Sequence, residues 1–581
     1  NNDDELNKAL ATWAVSHNIS RTACNELLKI LKQYTSHNLP TDARTLLKTP
    51  RKTQHISKIC EGEYLYFGLN DIIQKMLLKD NNTYVNLLIN IDGLPLSKSS
   101  QASLWTILCS NTVNKTVYLV GAYFGYKKPT DSNIFLRALV DDLINFTNNG
   151  YIYNESIIKI RLFGLICDAP AKSFVLCVKG HTGFYSCTKC VIKGKYINGR
   201  VCFPYKKTFP SRKDELFSAN TYQDFQIGFS ILNNIPGFLP ISSTPLDYMH
   251  LICLGVVKKI ILLWIKGPLN VRLSISSINK ISHLLILLKN STPNDFVRKP
   301  RSLKDVKQWK AIEFRNFLLY TGPIVLRHIL KPDIYLHFLT LHIAVTILIR
   351  SNLNEELINF AESLLNHFVI SFEILYGKQY MSHNIHNLLH ICSDVRTYGP
   401  LDNFSAFRFE NYMASIKKRL RKNEKSLQQL YKRYNEIENC NSFLSSINNE
   451  TLNSYKYLHN NGPVPDNYNI QLQYLMMSNE KFNIKCKGQN NNCCLLKSGQ
   501  YVLILNIVQK NKDFLLIGKK LKYIKDVYES PYKSSDLNIK VMTVNNDSIF
   551  SWPITDLLGK AWKIPFGNHA NTFAIFPLNH T

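Results

Sequence analysis

The sequence is poor in acidic residues. Its 581 residues include 42 Asp and Glu against 70 Lys and Arg, so the formal net charge at pH 7 is +28. This excess is large for an enzyme that acts on small molecules, and it favours a polyanionic partner, which usually means nucleic acid. A basic but unspecialised protein is the alternative. Positive charge is clustered at 298–310 and 417–425, which favours nucleic acid.

Long apolar runs and a secretory pattern are also lacking. The longest apolar runs, 260–265 and 338–349, fall short of about 18 residues, so no membrane-spanning helix is expected. The 14 cysteines are scattered, several of them in apolar runs, which indicates a reducing compartment and not a disulfide framework. There is no internal repeat and no constellation typical of a Tyr or Ser recombinase. The first residue is Asn1 and not Met, which suggests a fragment that lacks an upstream DNA-binding module.

Hydrophobic periodicity divides the chain into segments with different patterns. Several short β-like runs, a helix and a further buried strand predict an α/β core. A long helical stretch follows and is predicted to be an all-α insertion, after which the core resumes with one helix. The segments are 1–59 (helical), 60–180 (first part of the core), 181–395 (helical insertion), 396–440 (final core helix), 441–495 (polar linker) and 496–581 (small β-rich module).

Three acids lie where they could hold metal ions. Asp92 and Asp168 each follow an apolar run, in YVNLLINIDGLPLS and ICDAPAKSF, and Glu410 begins a helix with a basic continuation, FRFENYMASIKKRLR. Strand ends are where α/β sheets build sites, and two-metal phosphoryl transfer needs carboxylates that hold ions about 3.5–4 Å apart. The structural alternatives are a turn residue, a strand-end cap and a surface acid, respectively. Glu313, in WKAIEFR, is a rival third acid.

Two cysteines and two histidines form a second set of candidate ligands. Cys187 and Cys190 make a Cys-x-x-Cys pair, whose thiolates suit zinc. His386 and His390 lie one helical turn apart and share a face. The alternative is a pair of buried free cysteines with histidines packed in a core. The reserve ligands are His181 and His383.

Basic side chains near these motifs are candidates for contact with DNA phosphates, although such runs are often only a solvated face. Trp309 could stack on an extruded base or be buried, and burial is favoured. The motif LDYMH holds Asp247 and His250, for which a structural hydrogen-bonded pair is the default and a role near the active site or on DNA the alternative. The phosphate candidates are Lys417, Lys418, Arg419, Arg421, Lys422, Arg298, Lys299 and Arg301.

Seven phrases of this sequence resemble one family. IDGLPL, ICDAPAKSF, GHTGFYSCTKC, LDYMHLICLGV, RKPRSL, WKAIEFRNFLLYTGP and FENYM are similar, in order, to motifs of the animal branch of the CACTA (En/Spm-like) DNA transposases. The resemblance spans roughly residues 60–435. It implies an α/β RNase H-like catalytic core of the DDE type, interrupted by the all-α insertion. The family's acids fall on Asp92, Asp168 and Glu410, which would hold two Mg²⁺ or Mn²⁺ ions.

The resemblance also implies a structural metal, partners and an activity. The catalytic subunit of the V(D)J recombinase, a distant relative in mechanism, is similar in joining a cysteine pair and a histidine pair at one zinc ion. By this resemblance Cys187, Cys190, His386 and His390 are assigned to a structural zinc. The expected enzyme cuts double-stranded DNA at element ends and joins 3′-ends to target DNA, in the nucleus, as a homodimer or larger oligomer. The alternatives are a catalytically inactive, transposase-derived nuclear DNA-binding protein and a structural protein whose β module recruits partners.

Overall fold

The fold is mixed α/β, with a seven-stranded sheet in the N-terminal part and an all-β sheet towards the C-terminus, as the sequence predicted. None of the described helices combines the length and the apolar composition needed to cross a membrane. The computed structural model describes the whole chain except residues 1, 54, 79–82, 98–99, 423, 448–453, 466–470, 480–481, 489, 512, 545–547, 568–570 and 580–581.

The described chain holds a mixed first part, a long helical stretch and a final β-rich part, with two π-helical segments at Met249–Val257 and Phe317–Thr321. The helices are α1 (Asn2–Ser16), α2 (Arg21–Tyr34), α3 (Ala43–Leu46), α4 (Asn70–Leu77), α5 (Ser132–Asn149), α6 (Ala169–Val175), α7 (Asp214–Ser218), α8 (Lys258–Lys266), α9 (Ile275–Leu287), α10 (Ala311–Asn316), α11 (Gly322–Val325), α12 (Pro332–Leu348), α13 (Glu355–Tyr376), α14 (His383–Asn387), α15 (Ile391–Tyr398), α16 (Phe407–Arg419) and α17 (Ser426–Ile447). The strands are β1 (Ser57–Ile59), β2 (Gly62–Tyr66), β3 (Tyr84–Pro95), β4 (Ser103–Asn111), β5 (Tyr118–Gly125), β6 (Tyr151–Tyr153), β7 (Ser156–Ile166), β8 (Lys195–Ile197), β9 (Arg200–Cys202), β10 (Ser454–His459), β11 (Leu472–Ser478), β12 (Asn483–Lys485), β13 (Cys493–Leu496), β14 (Tyr501–Lys510), β15 (Asp513–Asp526), β16 (Lys540–Val544), β17 (Phe550–Pro553), β18 (Leu557–Pro565) and β19 (Thr572–Pro577).

The chain divides into two compact units, and both are discontinuous in sequence. The first unit holds the N-terminal helices, the seven-stranded sheet, α16 and α17. The second unit holds the helices α8 to α15 and the C-terminal sheet. The first unit comprises Asn1–His181, Arg212–Asp247 and Ser405–Glu450, and the second Thr182–Ser211, Tyr248–Phe404 and Thr451–Thr581.

The sheet of the first unit is built around β3. Its strand order is β1-β2-β5-β4-β3-β7-β6, with β3, β4 and β5 antiparallel and β7 parallel to β3. Strand β3 is almost continuously apolar and buried, as a strand in the middle of a sheet covered on both faces requires. Helix α5 connects β5 towards β7 and begins where Asp131 Oδ1 accepts the N–H of Asn133 at 2.7 Å. Its apolar face packs in the same core as β3.

The C-terminal sheet of the second unit closes on itself. The pairings β14-β13-β18-β19-β16-β15 are completed by a pairing of β15 with β14, which makes a six-stranded antiparallel barrel, extended at its side by β10, β11, β12 and β17. The barrel packs on the segment after helix α9 of its own unit: the rings of Phe296 and Trp562 lie 4.7 Å apart, and Lys560 donates to Asp295.

Residues 441–495, predicted as a polar linker, include the strands β10, β11, β12 and β13. Their polar composition has a structural reason. In β10, SYKYLH, no residue is fully buried: its backbone pairs with β11, and most of its side chains are exposed. A strand of this kind lacks the apolar alternation by which strands are read from sequence.

Candidate functional site

Asp92 lies within β3, and Asp168 follows the end of the neighbouring strand β7. In the parallel pairing of β3 with β7, Asn90 lies opposite Ile166. Asp92 follows Asn90 by two residues, and Asp168 follows Ile166 by two residues. Burial raises the pKa of the Cys167 thiol, and both Asp168 and Asp92 raise it further. Both carboxylates therefore lie near Cys167, at the same end of the strand pair.

Glu410 joins this end of the sheet from helix α16. A carboxylate oxygen of Glu410 lies within 4.8 Å of one from Asp92; we call these two residues the acid pair. The buried side of α16 includes Phe409 and Met413, and Met413 Sδ lies 3.3 Å from the hydroxyl of Thr106 on β4. This packing leaves Glu410, in the first turn of the helix, directed towards β3.

Asp168 has a second role as a helix cap. Its Oδ1 accepts the N–H of Ala171 at 2.7 Å, which begins α6. Among the described residues, Asp168 does not belong to a ligand group in which all atoms lie within 4.8 Å of one another. Capping occupies one carboxylate oxygen, and the other oxygen can still ligate a cation.

The rival third acid, Glu313, is occupied on both oxygens. Arg301 donates to Oε1 at 2.6 Å and to Oε2 at 2.9 Å, and the N–H of Lys310 donates to Oε2 at 2.8 Å. The side chain of Glu313 is only 4% exposed. Glu313 is thus an internal partner of Arg301. The same contact holds the guanidinium of Arg301, and the phosphate role predicted for Arg301 stays a prediction.

The remaining basic candidates differ in how freely their charges face solvent. Burial lowers the pKa of Arg419, which is partly buried. Arg421 donates to the carbonyl of Ile19 at 2.6 Å, and Lys417 donates to the carbonyl of Pro95. The exposed candidates are Lys417, Lys418, Arg421, Lys422, Arg298 and Lys299.

Cys187, Cys190, His386 and His390 come together in the second unit; we call them the cysteine–histidine group. One ligand atom of each lies within 4.8 Å of the others. Cys190 Sγ lies 3.6 Å from Cys187 Sγ and 3.3 Å from His386 Nε2, and the Nε2 atoms of the two histidines are 3.2 Å apart. Both thiols are fully buried. Four borderline-soft donors that converge in this way suit a four-coordinate transition metal.

The electrostatics of this group favour thiolate. Burial opposes ionisation of the Cys187 thiol, but Cys190 and the two imidazoles outweigh it and lower its pKa well below the ordinary value. Thiolates, and not thiols, ligate metals. The reserve ligands are not members of the group among the described residues: His383 Nδ1 lies 3.0 Å from Ser186 Oγ, and His181 is in the first unit.

Several residues that support this group were not singled out from the sequence. Lys189, between the two cysteines, forms a buried ion pair with Asp394 at 2.7 Å, which ties the Cys-x-x-Cys turn to α15. Asn387 Oδ1 lies 3.4 Å from Cys187 Sγ. The ring of Phe203 stacks on His386 at a centroid distance of 5.6 Å. For Lys189, its position between the two cysteines of the Cys-x-x-Cys motif was the sequence feature that could have indicated a supporting role.

The residues with open roles also have defined places. Asp247 is buried, and its Oδ1 accepts the N–H of Ala406 at 2.7 Å. His250 lies in the π-helical segment Met249–Val257. Trp309 is buried and donates to the carbonyl of Ser302 at 3.2 Å, so its ring is held in the protein interior.

Comparisons with known proteins concern mainly the C-terminal barrel. Residues 458–578 match a family model described as a domain of unknown function, DUF8592. No curated protein compared with the chain matches it. The acid pair and the cysteine–histidine group lie outside the matched residues.

Proposed function

We propose that this chain is a metal-dependent DNA transposase of the DDE type, which cuts DNA at element ends and joins 3′-ends to target DNA. One observation carries the proposal: Asp92 lies on β3, Asp168 directly follows the parallel strand β7 next to it, and Glu410 brings a carboxylate within 4.8 Å of Asp92. These are the three acids that the CACTA resemblance implies.

The strand order supports an RNase H-like core. Three antiparallel strands, β3, β4 and β5, are followed by the helix α5 and then by β7, which pairs parallel to β3. This arrangement agrees with a core in which the first acid lies on the first strand and the second acid lies just after the parallel strand. The third acid, Glu410, lies on a helix much later in the chain, because the helical insertion separates Asp168 from Glu410 in sequence.

The donor set fits hard divalent cations. Carboxylate oxygens are the ligands that Mg²⁺ and Mn²⁺ prefer, and a spacing within 4.8 Å allows Asp92 and Glu410 to share one ion. Bound ions would activate the attacking water or 3′-hydroxyl and stabilise the leaving oxygen. The chain's part is to hold three carboxylates on rigid elements and to neutralise DNA phosphates with exposed lysines such as Lys418 and Lys422.

The cysteine–histidine group fits a structural zinc ion. Zn–S bonds of about 2.3 Å and Zn–N bonds of about 2.0–2.1 Å give tetrahedral edges of roughly 3.8 Å between sulfurs and roughly 3.4 Å between nitrogens. The corresponding distances are 3.6 Å and 3.2 Å. We propose that zinc closes this group and links two distant parts of the chain, whose separation between Cys190 and His386 is 196 positions. The proposed enzyme acts in the nucleus as a homodimer or larger oligomer.

Metal-dependent nicking of supercoiled plasmid by the full chain tests this function. Asp168→Asn keeps an oxygen that can cap α6 but removes the negative charge. Glu410→Gln likewise keeps the size of the side chain and removes its negative charge from the acid pair. Each substitution should lower Mg²⁺- or Mn²⁺-dependent nicking by about 100-fold or more, which corresponds to roughly 2.7 kcal/mol of transition-state stabilisation. DNA affinity should change little.

Asp131→Asn is the matched control, because Asp131 also caps a helix of the first unit and should leave nicking intact. Loss of DNA binding together with nicking would contradict the proposal. A wild-type chain that binds DNA but never nicks it would favour the transposase-derived DNA-binding protein.

A further inference from the structure

Residues 243–247, which we call the connecting segment, touch the supports of both Asp168 and Glu410 within the first unit. At one end, the carbonyl of Ser243 accepts the N–H of Leu165, near the end of β7, at 2.8 Å. At the other end, Asp247 Oδ1 accepts the N–H of Ala406 at 2.7 Å. Ser243, Thr244, Leu246 and Asp247 are buried.

Asp247 caps the start of helix α16. Helix N-termini leave N–H groups without intrahelical partners, and a side-chain oxygen normally satisfies one of them. The residue at the N-cap position is Ala406, whose methyl group cannot accept a hydrogen bond. The hydroxyl of Ser405 accepts the N–H of Phe407 at 3.4 Å. Asp247, 159 positions earlier in the chain, accepts the N–H of Ala406, and its negative charge favours a helix N-terminus. Glu410 lies in the turn that this contact holds, since its N–H donates to Ala406 O at 2.9 Å.

The same segment supports Asp168 through a buried lysine. Lys172 lies on α6, the helix that Asp168 caps, and is 5% exposed. Its ammonium donates to the carbonyls of Thr244 at 3.3 Å and Pro245 at 2.8 Å. A buried ammonium needs such partners, because an uncompensated charge in the interior is strongly unfavourable. The connecting segment thus contacts α6 through Lys172 and α16 through Asp247.

We propose that Asp247 and Lys172 are positioning residues for the acids, through the connecting segment. This inference rests on the proposed function. Asp247 holds the first turn of α16, and hence Glu410, at the distance from Asp92 at which one cation can be shared. Lys172 holds α6, and hence Asp168, against the same segment. The LDYMH motif thereby acquires a role for its aspartate: it holds helix α16 without touching DNA or substrate.

Titration of the full chain with Mn²⁺, followed by electron paramagnetic resonance, tests this inference together with nicking. Asp247→Ala should weaken Mn²⁺ binding and lower nicking, each by about 10-fold, which is the effect of roughly 1.4 kcal/mol of lost preorganisation. Asp247→Asn keeps an acceptor oxygen for Ala406 and should recover most of both. Lys172→Met, similar in length but without donors, should act in the same direction as Asp247→Ala.

Asp131→Ala is the control, because it removes the cap of α5 and should lower stability without changing Mn²⁺ affinity. Wild-type affinity and nicking in Asp247→Ala, or equal weakening in Asp131→Ala, would overturn the inference and leave the proposed function standing. A wild-type chain that binds no Mn²⁺ would overturn both. Failure of Asp247→Asn to recover Mn²⁺ affinity would also count against a capping role.

Discussion

The carboxylates of this chain differ in what their oxygens already bind. Glu313 has both oxygens occupied by Arg301 and Lys310. Asp168 uses one oxygen to cap a helix. Glu410, by contrast, faces a second carboxylate, that of Asp92, within 4.8 Å. Two acids at this separation repel one another unless a proton or a cation lies between them. Glu410 and Asp92 are therefore candidate cation ligands, whereas Glu313 is already neutralised by an internal ion pair.

Replacement of Arg301 should affect stability more than DNA binding. Arg301→Gln leaves the buried Glu313 without its ion pair, and loss of such a partner lowers the free energy of unfolding by roughly 3 kcal/mol. Arg298→Gln is the matched variant, because Arg298 is 46% exposed and only 4.0 Å from the same carboxylate. It should change stability little and weaken DNA binding. Denaturant unfolding and DNA titration of both variants check this, and the reverse ranking would contradict it.

The cysteine–histidine group should retain one zinc ion per chain after purification. Cys190→Ser removes a thiolate ligand, so zinc content should fall and the thermal unfolding temperature should drop by roughly 10 °C. Cys202→Ser is the control, since Cys202 is buried in the same unit but its Sγ contacts the carbonyl of Gln379 instead. Elemental analysis and thermal unfolding of both variants measure their zinc content and stability. Equal zinc content in both variants would contradict the assignment.

Helix α12 is apolar on nearly all sides and yet carries two buried histidines, His337 and His342. His342 Nδ1 lies 2.8 Å from the carbonyl of Leu318, and Nε2 lies 2.8 Å from the hydroxyl of Tyr528. A carbonyl can only accept, so Nδ1 carries the proton and Nε2 accepts from Tyr528. This neutral ring links α12 to the barrel of its own unit, and burial lowers its pKa to about 4.

Acid should therefore destabilise the second unit partly through His342. Between pH 6.5 and about 4 the unfolded chain binds a proton at this residue and the folded protein does not. The free energy of unfolding then falls as the pH falls, by roughly 1.4 kcal/mol per pH unit. His342→Gln removes this contribution, so its stability should decline less steeply over that window. Urea unfolding of both proteins at several pH values measures the slopes, and identical slopes would contradict the prediction.

The elements with strong periodicity could be predicted from the sequence, and the weakly patterned ones could not. The helix predicted between the β-like runs and the buried strand is α5, Ser132–Asn149, in which Phe135, Leu139 and Leu143 recur at helical spacing. Strand β10 was missed because its exposed side chains leave no apolar alternation. The two π-helical segments had no signal, since their apolar residues also suit an α-helix.

Long-range pairing limits what local patterns can predict about the candidate sites. Each predicted acid and metal ligand could be named from its own motif. Its partner could not, because Cys190 and His386 are 196 positions apart, and Asp247 and Ala406 are 159 apart. Resemblance to a family supplied the grouping of the ligands, and the fold supplied the contact of Asp247 with α16. Arg301 is the clearest example, since its motif RKPRSL does not indicate that its guanidinium pairs with Glu313.

The two units share a principle of construction. In each, segments that are distant in sequence meet at a group of polar side chains: the acids in the first unit and the cysteine–histidine group in the second. A metal ion at such a point would bind only when both segments are folded, so its binding energy would contribute to folding. The proposed function therefore predicts that metal binding supports both nicking and the stability of the second unit.

Anomalous diffraction from crystals of the full chain with DNA and Mn²⁺ tests the central claim most directly. We expect two Mn²⁺ ions about 3.5–4 Å apart, ligated by Asp92, Asp168 and Glu410, with a DNA phosphate between them. Anomalous density elsewhere, or bound DNA with no ion at these three carboxylates, would contradict the assignment of a two-metal transposase.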